Sequence, residues 1–342
     1  MKIALLTGGG DAPGLNSVIR AVVKSSSFSG IQVVGVRRGW AGLVDLDYFP
    51  LEWKDVENIS SKGGTMLKSS RTNPTKLDNG IVRVSANLAR IADGLIAMGG
   101  EDTLGVALAM FKGGVNVVGV PKTIDNDLSG TDFTIGFDTS LNTTVEVIDR
   151  VRTTGESHER FMVIEVMGRQ AGWLAVHSGL ASGADLILLP EEPFDLDMIS
   201  AHLQKLRMEG RKSGIIVVAE GAHPKESSKA VAEQGKVDAF GHARLGGVGE
   251  ALSQEITKRT GLETRHVVIG HIARGGTPSA FDRVFGTRLG VEVVNLVKEK
   301  KWGQMLSLRG TRIVSMDLEE GVSKLKTVGR DYIQIRNMMT TI

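Results

Sequence analysis

The 342-residue chain contains no cysteine, which excludes disulfides and thiolate metal sites and fits a reducing cytosol. It also carries almost no net charge. With 41 Lys and Arg against 39 Asp and Glu, no global field holds nucleic acid or an acidic membrane. Any anion site must therefore be built locally. No run is long and apolar enough to span a bilayer. The opening Met1-Lys2-Ile3-Ala4-Leu5-Leu6-Thr7 runs straight into a glycine loop, so no secretory leader is expected and the expected location is cytoplasmic.

What the chain has in quantity is glycine: 43 residues, clustered after apolar runs where tight βα turns fall. The length suits two α/β domains, and two domains make a cleft. β-rich runs at 2–7, 31–36, 94–98, 115–120, 161–166, 185–189, 215–219 and 266–269 alternate with helical patterns. The helical patterns fall at 15–24, 82–91, 104–111, 138–152, 196–208, 248–258 and 287–298. This alternation is the signature of βαβ units. It predicts two similar three-layer α/β domains with largely parallel sheets and the active site in the cleft between them. The expected division is 1–135 plus about 272–310, and 136–271 plus about 311–342. The polar, glycine-broken stretch 221–247 reads as a surface excursion.

Three constellations carry chemistry. Gly8-Gly9-Gly10-Asp11-Ala12-Pro13-Gly14-Leu15-Asn16 joins the first strand to the first helix, where backbone N–H groups can meet an anion such as phosphate. Pro13 breaks the dinucleotide fingerprint, and no Gly-Lys-Ser/Thr follows to make a P-loop. Taken alone, the loop is equally a tight turn without a ligand.

The second constellation is acidic. Gly99-Gly100-Glu101-Asp102-Thr103 and Pro121-Lys122-Thr123-Ile124-Asp125-Asn126-Asp127 each follow a β-rich run, so each lies beyond the carboxyl end of a strand, where open α/β sheets bind ligands. Gathered carboxylates repel one another unless a divalent cation or a tuned pKa relieves them. A lone Asp-x-Asp is more often a turn, but four acids with Arg71 and Lys122 to balance them point to a site.

The third is a set of arginines: Arg71, Arg160, Arg169, Arg265 and Arg274. Guanidinium groups clamp phosphates bidentately, although each one singly is as readily an ion-pair residue. His158 and His271 lack metal-ligand spacing and read as hydrogen-bonding or packed histidines.

From its first strand to its last helix before the tail, the chain resembles the phosphofructokinase family. The resemblance rests on 8–16, the acidic loop at Gly100, Thr123-Ile124-Asp125-Asn126-Asp127 and Gly136-Phe137-Asp138-Thr139. It continues through Ser157-His158-Glu159-Arg160, Glu165-Val166-Met167-Gly168-Arg169, Glu220 and Gly270-His271-Ile272-Ala273-Arg274-Gly275-Gly276. The resemblance implies two-domain enzymes that phosphorylate the 1-hydroxyl of fructose 6-phosphate with Mg2+. It implies Asp125 as the base, with Thr123 and Arg169 steadying the transition state. Glu101 falls at the magnesium-associated acid, and Gly10 and Arg71 at the donor phosphates. Met167, Gly168 and Glu220 match sugar contacts, and His271 and Arg274 match the 6-phosphate site. Arg160 and Arg265 match arginines that cross into a neighbouring subunit's site in bacterial relatives, implying a homodimer or homotetramer.

Two departures point to the donor. ATP-using members of the family usually carry glycines where this chain has Asp102 and Lys122, whereas members using inorganic pyrophosphate are similar to this chain at both positions. A carboxylate about 4 Å from an α-phosphate repels it by about 4 kcal/mol at an effective dielectric near 20. The lysine can neutralise departing phosphate. Both residues are thus expected in catalysis and donor binding, unless they form a surface ion pair of little worth. The expected reaction is reversible phosphoryl transfer from pyrophosphate to fructose 6-phosphate; the alternatives are an ATP-dependent enzyme and a non-catalytic sugar-phosphate sensor. Another sugar phosphate, such as sedoheptulose 7-phosphate, stays open as acceptor. Arg20, Lys24, Arg152, Arg211 and Lys212 match basic effector-site positions of bacterial relatives, leaving allostery open.

Overall fold

A computed structural model describes residues 1–225, 232–237 and 243–340. The strands in chain order are β1 (Lys2–Thr7), β2 (Gln32–Val36), β3 (Tyr48–Leu51), β4 (Gly94–Gly99), β5 (Val117–Pro121), β6 (Phe161–Val166), β7 (Leu186–Leu188), β8 (Gly214–Ala219), β9 (Ala232–Val237), β10 (Ala243–Leu245), β11 (Thr264–Val268), β12 (Gln304–Arg309) and β13 (Arg312–Asp317). The helices are α1 (Leu15–Phe28), α2 (Trp40–Asp45), α3 (Trp53–Val56), α4 (Gly80–Ile91), α5 (Glu101–Lys112), α6 (Phe137–Ser157), α7 (Trp173–Ser182), α8 (Leu196–Met208), α9 (Val248–Thr260), α10 (Ala280–Lys298), α11 (Leu318–Val322) and α12 (Arg330–Thr340).

Two sheets organise these elements, one of seven strands in the order β13-β12-β5-β4-β1-β2-β3, the other of four in the order β11-β6-β8-β7. The four-stranded sheet is parallel throughout. In the larger sheet only the edge strands β3 and β13 run antiparallel. The central strands β1, β4, β5, β6 and β8 are buried on both faces, so they read as near-continuous apolar runs. In β1, Ile3 and Leu5 face α1 and α10 while Ala4 and Leu6 face α4 and α5. In β6, Met162 and Ile164 face α6 and α7 while Phe161 and Val163 face α8 and α9. Strand alternation thus divides each domain into two half-cores and makes three layers.

The larger sheet reverses its strand order between β1 and β4, the crevice where ligands collect in such sheets. The second sheet turns its β6, β8 and β11 ends toward the same region through the loops described below.

Several elements differ from the sequence expectation. Strand β13 hydrogen-bonds along the whole of β12, so 312–317 belong to the first sheet, not with the second domain as the division at 311 had it. Its residues are mostly exposed, and an edge strand of that composition has no buried-strand signature. Helix α7, with Gly172 before it and Gly179 within it, is apolar nearly all round and carries no amphipathic period for a sequence reading to find. Within the expected excursion, β9 and β10 pair as an antiparallel hairpin; 226–231 and 238–242 lie outside the described residues.

Candidate active site

Four loops at strand ends meet in one cleft. The loop after β1 contributes Gly9 and Gly10; that after β4 contributes Gly100, Glu101, Asp102 and Thr103; that after β5 contributes Lys122, Thr123, Asp125 and Asp127. From the second domain comes Arg169, after β6, and the lining is completed by Arg71 and Arg274.

Lys122 is 3% exposed. Its Nζ donates to the carbonyl of Gly8 at 3.0 Å and to that of Gly10, drawing the β1 loop across the end of β5. Burial, and then the neighbouring Arg274 charge, push this lysine down to about 7. An anion placed beside it restores the charged form. The surface ion pair between Asp102 and Lys122 does not occur, because Lys122 lies on the cleft floor and Asp102 stands 3.7 Å from Arg169.

The loop after β5 is held from within. Thr123 Oγ1 accepts from the backbone N–H of Asp125 at 3.1 Å, and Thr134 Oγ1 donates to the Thr123 carbonyl at 2.6 Å. Asn126 adopts φ +53°, the left-handed conformation asparagine tolerates, and its amide reaches the Asp132 carbonyl at 3.2 Å. This turn aims two aspartates the same way. One buried carboxylate oxygen of Asp125 and one of Asp127 have no hydrogen-bond partner. Burial, and then the charge of Asp125, push Asp127 well above the ordinary carboxylate range.

Opposite them, Glu220 at the end of β8 accepts from the backbone N–H groups of Gly168 (3.3 Å) and Arg169 (3.0 Å). Burial, and then the Asp125 charge, push it up to about 7. Arg169 has φ +50°, and a side chain at Gly221 would strike its carbonyl at 1.9 Å. The Glu220-Gly221 pair therefore fixes how Arg169 enters the cleft. At Gly10 a Cβ would lie 2.5 Å from the Arg274 guanidinium, so a side chain there would displace that arginine.

Of the residues expected from sequence, Gly10, Arg71, Glu101, Asp102, Lys122, Thr123, Asp125, Arg169 and Arg274 line this cleft. Gly168 and Glu220 support it from behind. Met167 is half-buried against the core of the second domain. His271 is exposed on the turn after β11. Arg274 donates to the Asp11 carbonyl at 3.1 Å, which sets it on the glycine-loop side. Arg160 and Arg265 sit elsewhere, both paired with Glu263 at 2.9 and 2.7 Å.

The basic effector-position residues are each engaged within the chain. Arg20 and Lys24 lie over Trp53, Arg152 donates to the Ser182 and Gly183 carbonyls, and Arg211 and Lys212 pair with Asp185 and Glu159.

Sequence reasoning passed over Thr103, whose buried hydroxyl has no partner, since a threonine in the first turn of a helix carries no chemical signature. It also passed over Asp282 on α10. This carboxylate accepts from the N–H groups of Gly136 and Thr139 at 2.9 Å each, so the Gly136-Phe137-Asp138-Thr139 motif serves to anchor the start of α6.

Among the described residues, no group of three or more His, Cys, Asp or Glu converges as a ready-made metal cluster, and no helix is long and apolar enough to cross a membrane.

A family model described as Phosphofructokinase matches residues 2–297. A protein of Amycolatopsis methanolica named pyrophosphate--fructose 6-phosphate 1-phosphotransferase is 54% identical over 330 residues, 96% of this chain and 96% of its own length. A protein of Streptomyces coelicolor named ATP-dependent 6-phosphofructokinase 3 is 46% identical over 330 residues, again 96% of each. Among solved structures, the phosphofructokinase of Saccharomyces cerevisiae superposes with a TM-score of 0.83 at 30% identity, covering 99% of this chain. This chain spans about half (48%) of that one. Fold, cleft and sequence agree, and the chain belongs to the phosphofructokinase family.

Proposed function

We propose that the chain transfers a phosphoryl group reversibly from inorganic pyrophosphate to the 1-hydroxyl of fructose 6-phosphate. The observation that carries the reading is Lys122 buried on the cleft floor with Asp102 on its wall. A lysine held in low dielectric stabilises a departing phosphate strongly, while a carboxylate at the mouth disfavours the further phosphate of a nucleotide. The name of the Amycolatopsis methanolica relative supports the same donor.

In this reading Gly10, Arg71 and Lys122 bind pyrophosphate, and Asp125 accepts the proton of the attacking hydroxyl. Thr123 and Arg169 stabilise the charge that develops in transfer, so positioning and electrostatics do most of the work. Met167, Gly168 and Glu220 hold the sugar, and His271 and Arg274 its phosphate. The glycine loop and most of the acidic loops then belong to a donor domain, and the β6 and β8 loops to a sugar-phosphate domain.

Mg2+ fits the residues present. The unpartnered buried oxygens of Asp125 and Asp127 face the cleft that Glu101 also lines, and this cation is usually held by one or two carboxylates plus substrate phosphates. Glu101 and Asp127 would hold it, and bound there it would neutralise phosphate charge. The assembly in this reading is a cytoplasmic homodimer or homotetramer in which Arg160 and Arg265 serve a neighbouring subunit's sugar phosphate.

One coupled assay tests the reading: turnover of fructose 6-phosphate with pyrophosphate and with ATP at equal Mg2+. Preference for pyrophosphate is expected; preference for ATP overturns the donor, and no turnover with either overturns the enzyme in favour of a sensor.

A further inference from the structure

Residues 324–329 form a strap between α11 and α12, beyond the 2–297 span of the family match. The strap crosses the loop that carries Asp125 and Asp127. Leu325 makes an antiparallel bridge with Leu128, and the Lys326 N–H donates to the Asp127 carbonyl at 2.8 Å. The Lys326 ammonium then donates to the carbonyls of Thr131 (2.8 Å) and Asp132 (2.9 Å). The Asp132 carbonyl is the one that Asn126 also reaches, so one side chain closes the ring of the loop from its far side.

The same strap grips the other wall of the cleft. Trp173, first residue of α7 and four after Arg169, donates its indole N–H to the Lys326 carbonyl at 2.7 Å, and the Lys326 ammonium lies 5.2 Å from the Trp173 ring centre. Two residues on, the Val328 N–H donates at 2.9 Å to the Glu191 oxygen that also accepts from the Gly172 N–H. Backbone and ammonium of one short segment thus tie the Asp125–Asp127 loop to the loop holding Arg169.

We propose that Lys326 is a positioning residue for the reaction, setting the placement of Asp125 relative to Arg169 across the cleft. It is not among the residues that line the cleft. The inference rests on Asp125 acting as the base, and it assigns Lys326 a role in turnover and not in substrate affinity. Without the ammonium the Thr131 carbonyl loses this donor and the Asp132 carbonyl keeps that of Asn126, so the loop is free to shift, and a displacement of about 1 Å at a reacting group lowers a rate by up to roughly a hundredfold.

The chain's lack of cysteine makes the test clean, because Lys326→Cys introduces its sole thiol. The variant's kcat should fall roughly tenfold to a hundredfold, with KM for fructose 6-phosphate changed by less than about threefold. Alkylation with 2-bromoethylamine rebuilds an ammonium at lysine's reach and should restore most of kcat; methyl methanethiosulfonate, which adds no donor, should not. Unchanged kcat in a folded variant, a loss confined to KM, or equal recovery with both reagents would each overturn the proposal. If Lys326→Cys does not fold, Lys326→Met keeps the packed stem. Amide hydrogen exchange in 123–135 and 168–173 should then be faster than in the wild type, and unchanged exchange overturns the proposal. Asp125→Asn is measured alongside. Normal turnover there removes the base on which the inference stands, whereas a dead Asp125→Asn beside a normal Lys326→Cys removes the strap alone.

Discussion

The Asp102 carboxylate stands 3.7 Å from the Arg169 guanidinium, joining the first turn of α5 on one sheet to the loop after β6 on the other. In the proposed reaction the contact sets a carboxylate at the donor's end of the cleft next to the arginine that acts on the transferring group. Asp102→Gly should therefore admit a nucleotide and also remove this contact of Arg169. Detectable ATP use at low overall rate is expected, with ATP kcat/KM rising by up to about three powers of ten if a repulsion of about 4 kcal/mol is relieved. Lys122→Gly should weaken pyrophosphate turnover, and the double variant should reverse the donor ratio. Measuring kcat/KM for both donors around the full cycle checks this, and an unchanged ratio in the double variant rules the donor argument out.

Asp125→Asn keeps the turn, since the backbone N–H bond to Thr123 does not involve the carboxylate. Its kcat should fall by roughly two to four powers of ten with sugar-phosphate affinity retained. Steady-state kinetics and fructose 6-phosphate titration together separate the two quantities. Near-normal turnover would remove Asp125 from the chemistry.

Glu101→Gln and Asp127→Asn each remove a charge facing the cleft. The Mg2+ concentration for half-maximal rate should rise roughly tenfold or more in each, equivalent to about 1.4 kcal/mol. Asp127→Asn should also raise the melting temperature measured without Mg2+ at pH 8, because it removes a buried carboxylate held next to Asp125. A Mg2+ dependence that does not move in either variant would place the cation elsewhere.

Mixing Asp125→Asn with Arg160→Ala subunits tests the assembly. Recovered activity in demonstrated hybrids is expected if Arg160 completes a neighbour's site. Hybrids without activity would leave Arg160 in the role its pairing with Glu263 gives it within the chain.

Asp282 yields a pH signature. Burial pushes its folded pKa up to about 6, against the lowering effect of its bonds from Thr139 and Gly136. The folded state thus binds its proton more tightly than the unfolded state, so this group's contribution to stability falls as pH rises from about 4 to 6. A shift of about two units corresponds to roughly 3 kcal/mol. Asp282→Asn should flatten that slope in melting curves between pH 4 and 7. At pH 8 relief of the buried charge and loss of an acceptor for one of the two N–H groups act in opposite directions, so the slope and not the absolute stability is the readout. An unaltered slope would show that another group carries the dependence.

Much of the fold is legible in the chain because the central strands of both sheets are buried on both faces. Runs such as 161–166 and 215–219 can hardly be anything but core strands, and the glycine-rich loops mark their carboxyl ends. The amphipathic helices α4 and α8 declare themselves by period. Illegible elements are those whose stability is borrowed from neighbours: edge strands β3 and β13, and helix α7, which is buried too evenly to show a face.

By itself the sequence determined the α/β class, the family likeness and which acids and arginines the strand-end loops carry, because each depends on residue type and spacing within a short stretch. Tertiary structure alone decided that Lys122 is buried against the Gly8 and Gly10 carbonyls, that Asp102 faces Arg169 and not Lys122, and that Arg160 meets Arg265 at Glu263. It alone brought the 324–329 strap onto the Asp127 loop, nearly two hundred residues away. Partner choice and pKa depend on distance and desolvation, which fall off over a few ångströms, and those distances exist only once the chain has closed two sheets around one cleft.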